Sequence, residues 1–266
     1  MTSYTVPDFL IVGSMKAGTT TLYRDLVQHP DIFLPQEKEP ETLVRFGEDD
    51  RAILEDYRSL MRPAATGQIC GEASTAYTKR PDHEGVAERA LRICGAKLKI
   101  IYLTREPISR IVSQYRHELA LGLVQEPLNQ AVLANGRYVA YSRYDWQLAP
   151  WLAALGPDNV LVLRFEDYVA RRAETVGRIC QFLGVSAPAG DFDRAFNTSE
   201  GKMVPRGLWK AVVASRFYQR QIKPLVPVGM RERMAGRVLT PVQQQVGELE
   251  PQTRERLAEA LRSAAE

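Results

Sequence analysis

The run Phe9-Leu10-Ile11-Val12-Gly13, with Ser14-Met15-Lys16-Ala17-Gly18-Thr19-Thr20 directly after it, constrains this chain more than any other stretch. A short apolar run that stops at glycine reads as a strand buried on both faces. Residues 19–28 then read as a helix. Leu22 and Leu26, and Tyr23 and Val27, recur four apart, and Pro30 lies just beyond the end. Strand, glycine-bounded loop and helix together present backbone N–H groups and a positive dipole end to an anion. Lys16 adds a point charge, and Thr19 and Thr20 add hydroxyl donors. Such a unit belongs in a parallel sheet, whose ligands sit beyond the carboxyl ends of the strands.

The spacing nearly matches G-x-x-x-x-G-K-[ST], but the residue after Gly18 is Thr19, and the lysine, Lys16, comes before that glycine. A triphosphate needs a lysine on its terminal phosphates and a metal to bridge them. The next apolar run ends in Arg105 rather than in an acid that would hold magnesium. The loop suits one phosphate at a helix N-terminus; the plain alternative is an ordinary strand-to-helix turn with incidental glycines.

Leu98-Lys99-Ile100-Ile101-Tyr102-Leu103-Thr104 is a second strand candidate, closed by Arg105-Glu106-Pro107. Ile108, Ile111, Val112 and Tyr115 follow at helical spacing, with Ser109, Ser113, Arg116 and His117 on another face. Arg105 at a strand's carboxyl end is placed for bidentate phosphate contact, and Ser113 lies about two helical turns on. The alternative is Arg105 paired with Glu106 or Glu72. Val160-Leu161-Val162-Leu163-Arg164-Phe165 reads as a third strand, followed by a helix through Val176, Ile179, Cys180 and Leu183 that Gly184 ends. Residues 252–264 read as a closing helix through Leu257 and Leu261.

These elements predict an α/β fold: a P-loop-like parallel β-sheet with helices on both faces, in a single domain over 1–266. Hydrophobic residues are 45% and charged residues 25%, enough apolar material for a sizeable core. Lys plus Arg number 35 against 32 Asp plus Glu, and a net +3 is too mild to argue for nucleic acid. Cys70, Cys94 and Cys180 are an odd, unclustered set, read as reduced thiols rather than a disulfide framework or a zinc site. No apolar stretch approaches a membrane span, and residues 1–8 lack a basic then apolar leader, so a cytoplasmic protein without a membrane partner is expected.

Together these segments resemble the sulfotransferases that use 3′-phosphoadenosine 5′-phosphosulfate (PAPS), in particular the heparan-sulfate-type branch and its soluble bacterial relatives. Pro7-Asp8 with the run from Phe9 to Thr20 resembles the family's 5′-phosphosulfate loop. The run from Lys99 through Arg105-Glu106-Pro107-Ile108-Ser109-Arg110 to Ser113-Gln114-Tyr115 resembles its 3′-phosphate segment. Lys38-Glu39-Pro40, Asp56-Tyr57-Arg58-Ser59-Leu60-Met61, Gly71-Glu72-Ala73-Ser74-Thr75-Ala76-Tyr77 and Phe165-Glu166-Asp167-Tyr168 are similar to further family stretches, in the same order. Glu41-Thr42-Leu43, Ala76 and Ser142 depart from the pattern, and the departures bear on the acceptor more than on the donor.

The resemblance implies sulfuryl transfer from PAPS to a hydroxyl of a carbohydrate, glycosylated or phenolic metabolite, with adenosine 3′,5′-bisphosphate (PAP) as product and no metal. It implies that Lys16, Ala17, Gly18, Thr19 and Thr20 surround the 5′-phosphosulfate and that Arg105 and Ser113 hold the 3′-phosphate. Lys202 and Arg206 lie in a polar 197–207 loop similar to one that closes over the nucleotide. Lys16 and Lys38 are expected to neutralise charge at the transferred group, and Glu72 to act as general base, with His117 as the rival. The bland readings are a surface lysine for Lys38 and a salt bridge for Glu72. Two other functions stay open on the residues alone, a P-loop small-molecule kinase and a non-catalytic nucleotide-phosphate binding module.

Overall fold

The computed structural model describes residues 6–187, 203–205, 239–241 and 247–263. Its centre is a five-stranded sheet of β1 (Phe9–Gly13), β2 (Ile32–Phe33), β3 (Ile69–Ala73), β4 (Lys99–Thr104) and β5 (Val160–Arg164), in the order β2-β3-β1-β4-β5. Every pairing is parallel. The chain runs from β1 to one side for β2 and β3, then crosses to the other for β4 and β5. That reversal places a crevice at the carboxyl end of β1, where open α/β sheets take their ligands.

The two faces follow from strand alternation. Leu10 and Val12 of β1 and Ile100 and Tyr102 of β4 pack on one side with Tyr57, Leu148 and Trp151. These come from α3 (Asp50–Met61) and α8 (Tyr144–Leu155), and α4 (Val86–Cys94) packs on the same side. Phe9, Ile11, Ile101 and Leu103 pack on the other, against Leu22 and Leu26 of α1 (Thr19–Val27) and Val176, Ile179 and Leu183 of α10 (Arg172–Leu183). Because both faces are covered, β1 reads as an unbroken apolar run rather than an alternating one. The charged patch at 48–51 is the start of α3, where Asp49 caps the helix by accepting from the Ala52 N–H at 3.0 Å. α2 (Thr42–Arg45) and α9 (Phe165–Ala170) are short helices.

The chain groups into two compact units. One holds the five-stranded sheet with α1–α4 and α8–α10. The other holds Ile111–Val139 and the described residues from 203 to 263. α5 (Pro107–Leu121) begins in the first and continues in the second, as α7 (Arg137–Ala140) ends in the first. The second unit has its own core: Ile111, Tyr115 and Leu119 of α5, Leu128 and Val132 of α6 (Leu128–Ala134), and Leu257 of α11 (Pro251–Ser263). It also carries an antiparallel ribbon of β6 (Met203–Pro205) and β7 (Leu239–Pro241). All three cysteines are free thiols. Among the described residues no helix is long and apolar enough to cross a membrane.

Candidate active site

The loop after β1 is fixed to the neighbouring strand before it reaches α1. Ser14 N–H donates to the Leu103 carbonyl at 2.8 Å, and Ala17 N–H donates back to the Ser14 carbonyl at 3.1 Å. Two glycines let the loop run this close to its surroundings. A Cβ on Gly13 would lie 2.3 Å from Thr78 Oγ1, and one on Gly18 would lie 2.7 Å from the Phe165 ring. Gly18 also has φ +90°, a conformation that L side chains resist. It opens α1, and no side chain caps that helix. The first-turn N–H groups of an uncapped helix have no intrahelical acceptor and face whatever lies beyond the end. Lys16 and Thr20 are half-buried at this edge and Thr19 is buried. The Ala17 methyl is in the core, and its amide donates to the Ser14 carbonyl.

Arg105 follows β4 immediately and closes the crevice from the other side. Its Nη1 donates to the Lys16 carbonyl at 3.0 Å, and its guanidinium stands 4.9 Å from the centroid of Phe165. The Tyr144 hydroxyl donates to the Arg105 carbonyl at 2.6 Å. The two acids considered as partners for Arg105 have other work. Glu106 caps α5, accepting from Ile108 N–H at 3.0 Å and Ser109 N–H at 2.7 Å. Glu72 accepts from three hydroxyls, described below. The Phe165-Glu166-Asp167-Tyr168 stretch supports the same corner. Phe165 packs between Gly18 and Arg105, Glu166 Oε1 accepts from Glu106 N–H at 2.9 Å, and the Tyr168 hydroxyl donates to Asp25 of α1. Arg172 binds Asp25 as well, through Nε at 2.9 Å and through Nη2, so the helix that offers its N-terminus is tied to α9 and α10 by a buried carboxylate.

Glu72 lies at the carboxyl end of β3, opposite Leu10 of β1, and has no exposed surface. Oε1 accepts from Ser74 Oγ at 2.5 Å and the Tyr77 hydroxyl at 2.6 Å, and Oε2 accepts from the Tyr57 hydroxyl at 2.7 Å. Burial raises its pKa above the ordinary value, with the three hydroxyls acting in the opposite sense. The same burial pushes the Tyr57 and Tyr77 phenols well up. This is the geometry of a sealed carboxylate. A general base needs a lone pair within reach of the acceptor oxygen, and both Glu72 oxygens are engaged by protein hydroxyls. Lys38 is different: it is ion-paired with Glu39 at the surface of the same sheet edge, with 17% of its side chain exposed.

Ser113 and His117 are half-buried on the part of α5 that belongs to the second unit, so their places are those of that unit. Lys202 and Arg206 lie outside the described residues. Tyr138 and Tyr141 are buried residues that donate to Glu118 and Asp82 respectively.

Three contributors were not singled out from the sequence. In the sequence Phe165 and Tyr57 stand only as members of longer stretches, and Asp25 only within the 19–28 helix. Tyr57 did carry a signal, since it shares a helical face with Ile53 and Met61, both buried. A tyrosine on an apolar stripe needs a partner for its hydroxyl.

A parallel sheet with an uncapped helix N-terminus, Lys16 and Arg105 at its switch point defines an α/β protein of the P-loop-like type, without the lysine position of a triphosphate loop. The chain belongs to the sulfotransferase domain family, whose model matches residues 6–203. Human heparan sulfate glucosamine 3-O-sulfotransferase 6 is 29% identical over 203 residues, covering 73% of this chain and 57% of that protein. This chain thus spans little more than half the length of that curated relative. A sulfotransferase from Alicyclobacillus acidocaldarius superposes with a TM-score of 0.61 at 27% identity, covering 73% of this chain and 87% of that one. A mouse sulfotransferase complexed with PAP shares the fold, with a TM-score of 0.51 at 15% identity over 97% of this chain and 84% of that one.

Proposed function

We propose that this protein transfers a sulfuryl group from PAPS to a hydroxyl of a carbohydrate, glycosylated or phenolic metabolite. The observation that carries the reading is the convergence of Lys16, Arg105 and the uncapped N-terminus of α1 at one sheet edge. That set matches an anion with one phosphate-sized group at the helix end and a second near the arginine. The family membership and the PAP named with the mouse neighbour support the same donor.

In this reading the N–H groups of Gly18, Thr19 and Thr20, with the threonine hydroxyls, hold the 5′-phosphate. The bond from sulfur to the bridging phosphate oxygen breaks as a new bond forms to the acceptor oxygen. Negative charge grows on the departing phosphate, and Lys16 neutralises it. Lys38 stands at the acceptor side of the transferred group. Arg105, with Ser113 as the resemblance implies, holds the 3′-phosphate, and Lys202 and Arg206 are assigned to its closure on the resemblance alone. The acceptor proton must leave to a base. Glu72 as that base requires its hydroxyl cage to open, whereas Glu39 and Glu41 stand half-exposed beside Lys38. His117 remains the rival on sequence grounds. A cytoplasmic location belongs to this proposal too.

Thermal shift separates this reading from a kinase. PAP should raise Tm where ATP with magnesium does not. Turnover of labelled PAPS against a panel of sugar and phenol acceptors separates it from a binding module, and the absence of labelled product with every acceptor class would reject transfer.

A further inference from the structure

Residues 38–43 run beside the carboxyl end of β3 and are held there by amides on alternate residues. Glu39 N–H donates to the Ala73 carbonyl at 3.0 Å, Glu41 N–H to Ser74 Oγ at 3.0 Å, and Leu43 N–H to the Tyr77 hydroxyl at 3.1 Å. Glu39 and Glu41 both have positive φ, 62° and 55°. Non-glycine residues hold such a conformation only where their surroundings fix it. Lys38 is the residue immediately before this pinned path.

Two of the three bonds end on hydroxyl oxygens, and a hydroxyl carries a single proton. The oxygens of Ser74 and Tyr77 each accept an amide, so each O–H is left to donate onward. Both donate to Glu72 Oε1, at 2.5 and 2.6 Å. A carboxylate only accepts, so it fixes the direction of both hydroxyls. Complete burial of Glu72, Ser74 and Tyr77 keeps competing water away. Tyr57 completes the carboxylate from the other oxygen without touching an amide of the segment.

We infer that Glu72 is a positioning residue. Its carboxylate turns the hydroxyls of Ser74 and Tyr77 so that their lone pairs hold the Glu41 and Leu43 amides, and thereby sets the path that places Lys38. The role given to Lys38 rests on the sulfuryl-transfer reading; the hydroxyl relay does not. The chemistry makes an unusual demand on substitutions. In Glu72→Gln the amide oxygen replaces Oε1 and still accepts from Ser74 and Tyr77, while the NH₂ donates to Tyr57, whose hydroxyl rotates to accept. The relay survives on a weaker acceptor. A catalytic base has no such rescue, because an amide cannot take the acceptor proton.

Amide hydrogen exchange, read residue by residue by NMR in the full chain, tests the relay without needing turnover. Ser74→Ala should speed exchange at Glu41, and Tyr77→Phe at Leu43, by about tenfold or more relative to β1 amides. Glu72→Gln should move both less. Tyr57→Phe is the control at Glu41: it weakens the carboxylate's surroundings but leaves that amide as protected as the rest of the protein, whereas Leu43 is excluded from the control because the Tyr57 hydroxyl also bonds with that of Tyr77. Release of PAP from PAPS, with 4-nitrophenol or a 4-nitrophenyl glycoside as acceptor, then tests the link to Lys38. Ser74→Ala and Tyr77→Phe should lower kcat in the wild-type background and have little further effect in Lys38→Ala, a non-additivity that general destabilisation does not produce. Glu72→Gln should lose less than about tenfold in kcat. Unchanged exchange at both amides overturns the inference. So does a loss of about 10² or more in Glu72→Gln with exchange intact, which would make Glu72 the base. Faster exchange in a protein that turns over no PAPS with these or any other acceptor class supports the relay and rejects the transfer reading instead.

Discussion

Arg105 and Lys16 meet across the carboxyl edge of the sheet, where the arginine Nη1 donates to the lysine's backbone carbonyl at 3.0 Å. The bond ties the end of β4 to the loop after β1, and Phe165 backs the guanidinium at 4.9 Å. Arg105 therefore braces the loop, and in the proposed reading it also supplies a cation to a ligand phosphate. Arg105→Ala should weaken PAP binding by about 2 kcal/mol or more, the scale of lost charged hydrogen bonds. Arg105→Lys should recover only part of that, because an ammonium cannot hold the Lys16 carbonyl and a phosphate with one planar fork. Calorimetry with PAP reads both variants, and unchanged affinity in Arg105→Ala would remove Arg105 from the donor site.

Gly18 is a residue at which the loop tolerates little change. Its φ of +90° and the 2.7 Å approach of a Cβ to the Phe165 ring act together. Gly18→Ala should cost about 1–3 kcal/mol of stability. It should also weaken PAP binding, since Phe165 cannot yield without releasing Arg105. Urea unfolding and calorimetry on the same variant separate the two effects. Gly67 has φ +91° with open space around it, so Gly67→Ala should show the strain cost without any effect on the ligand.

The charge of two phosphates and a sulfuryl group is met in this reading by lysine, arginine and helix N–H groups. Activity should then be unchanged by EDTA and by added magnesium. A rate that collapses on chelation and returns with magnesium would favour the kinase reading.

The strand, loop and helix around Lys16 were legible in the sequence because their signals are local. A glycine-bounded loop between an apolar strand and an amphipathic helix can be read in order along the chain, and Arg105 is marked by the strand that it ends. The sheet order was not written there in the same way, since placing β1 between β3 and β4 needs long-range pairing. The acceptor side was harder for a related reason. Glu72 sits in a stretch that looks catalytic by resemblance, but its burial depends on Tyr57, fifteen residues earlier on α3. Asp25 is a further case, being fixed by Tyr168 and Arg172 from more than 140 residues away.

That Asp25 arrangement makes a prediction of its own. The carboxylate has no exposed side-chain surface and Arg172 has only 12%. Removing one partner of a buried pair strands the other charge. Asp25→Ala should therefore destabilise the protein by about 3–5 kcal/mol. Tyr168→Phe removes only one donor to Asp25 and should cost about 1–2 kcal/mol. Denaturant midpoints check both, and an Asp25→Ala protein as stable as wild type would show that α1 is held by packing alone.

Glu72 should reveal its state through the pH dependence of stability. Burial raises its pKa in the folded chain above the ordinary 4.5, so folding favours the protonated form. The stability that protonation lends is fully present below that ordinary value and is lost as pH rises through the folded value. Glu72→Gln has no such proton to lose. The stability difference between wild type and variant should be flat below about pH 4.5 and then move in favour of the variant as pH rises. Glu48 and Asp50, whose pKa values are lowered by bonds to Arg89 and Arg92 in the first case and to Arg92 in the second, are common to both proteins and cancel in the difference. Urea unfolding at intervals between about pH 4 and 8 measures the difference directly. A difference that stays level would mean that the Ser74, Tyr77 and Tyr57 hydroxyls balance burial, and one that moves toward wild type with rising pH would mean that they outweigh it.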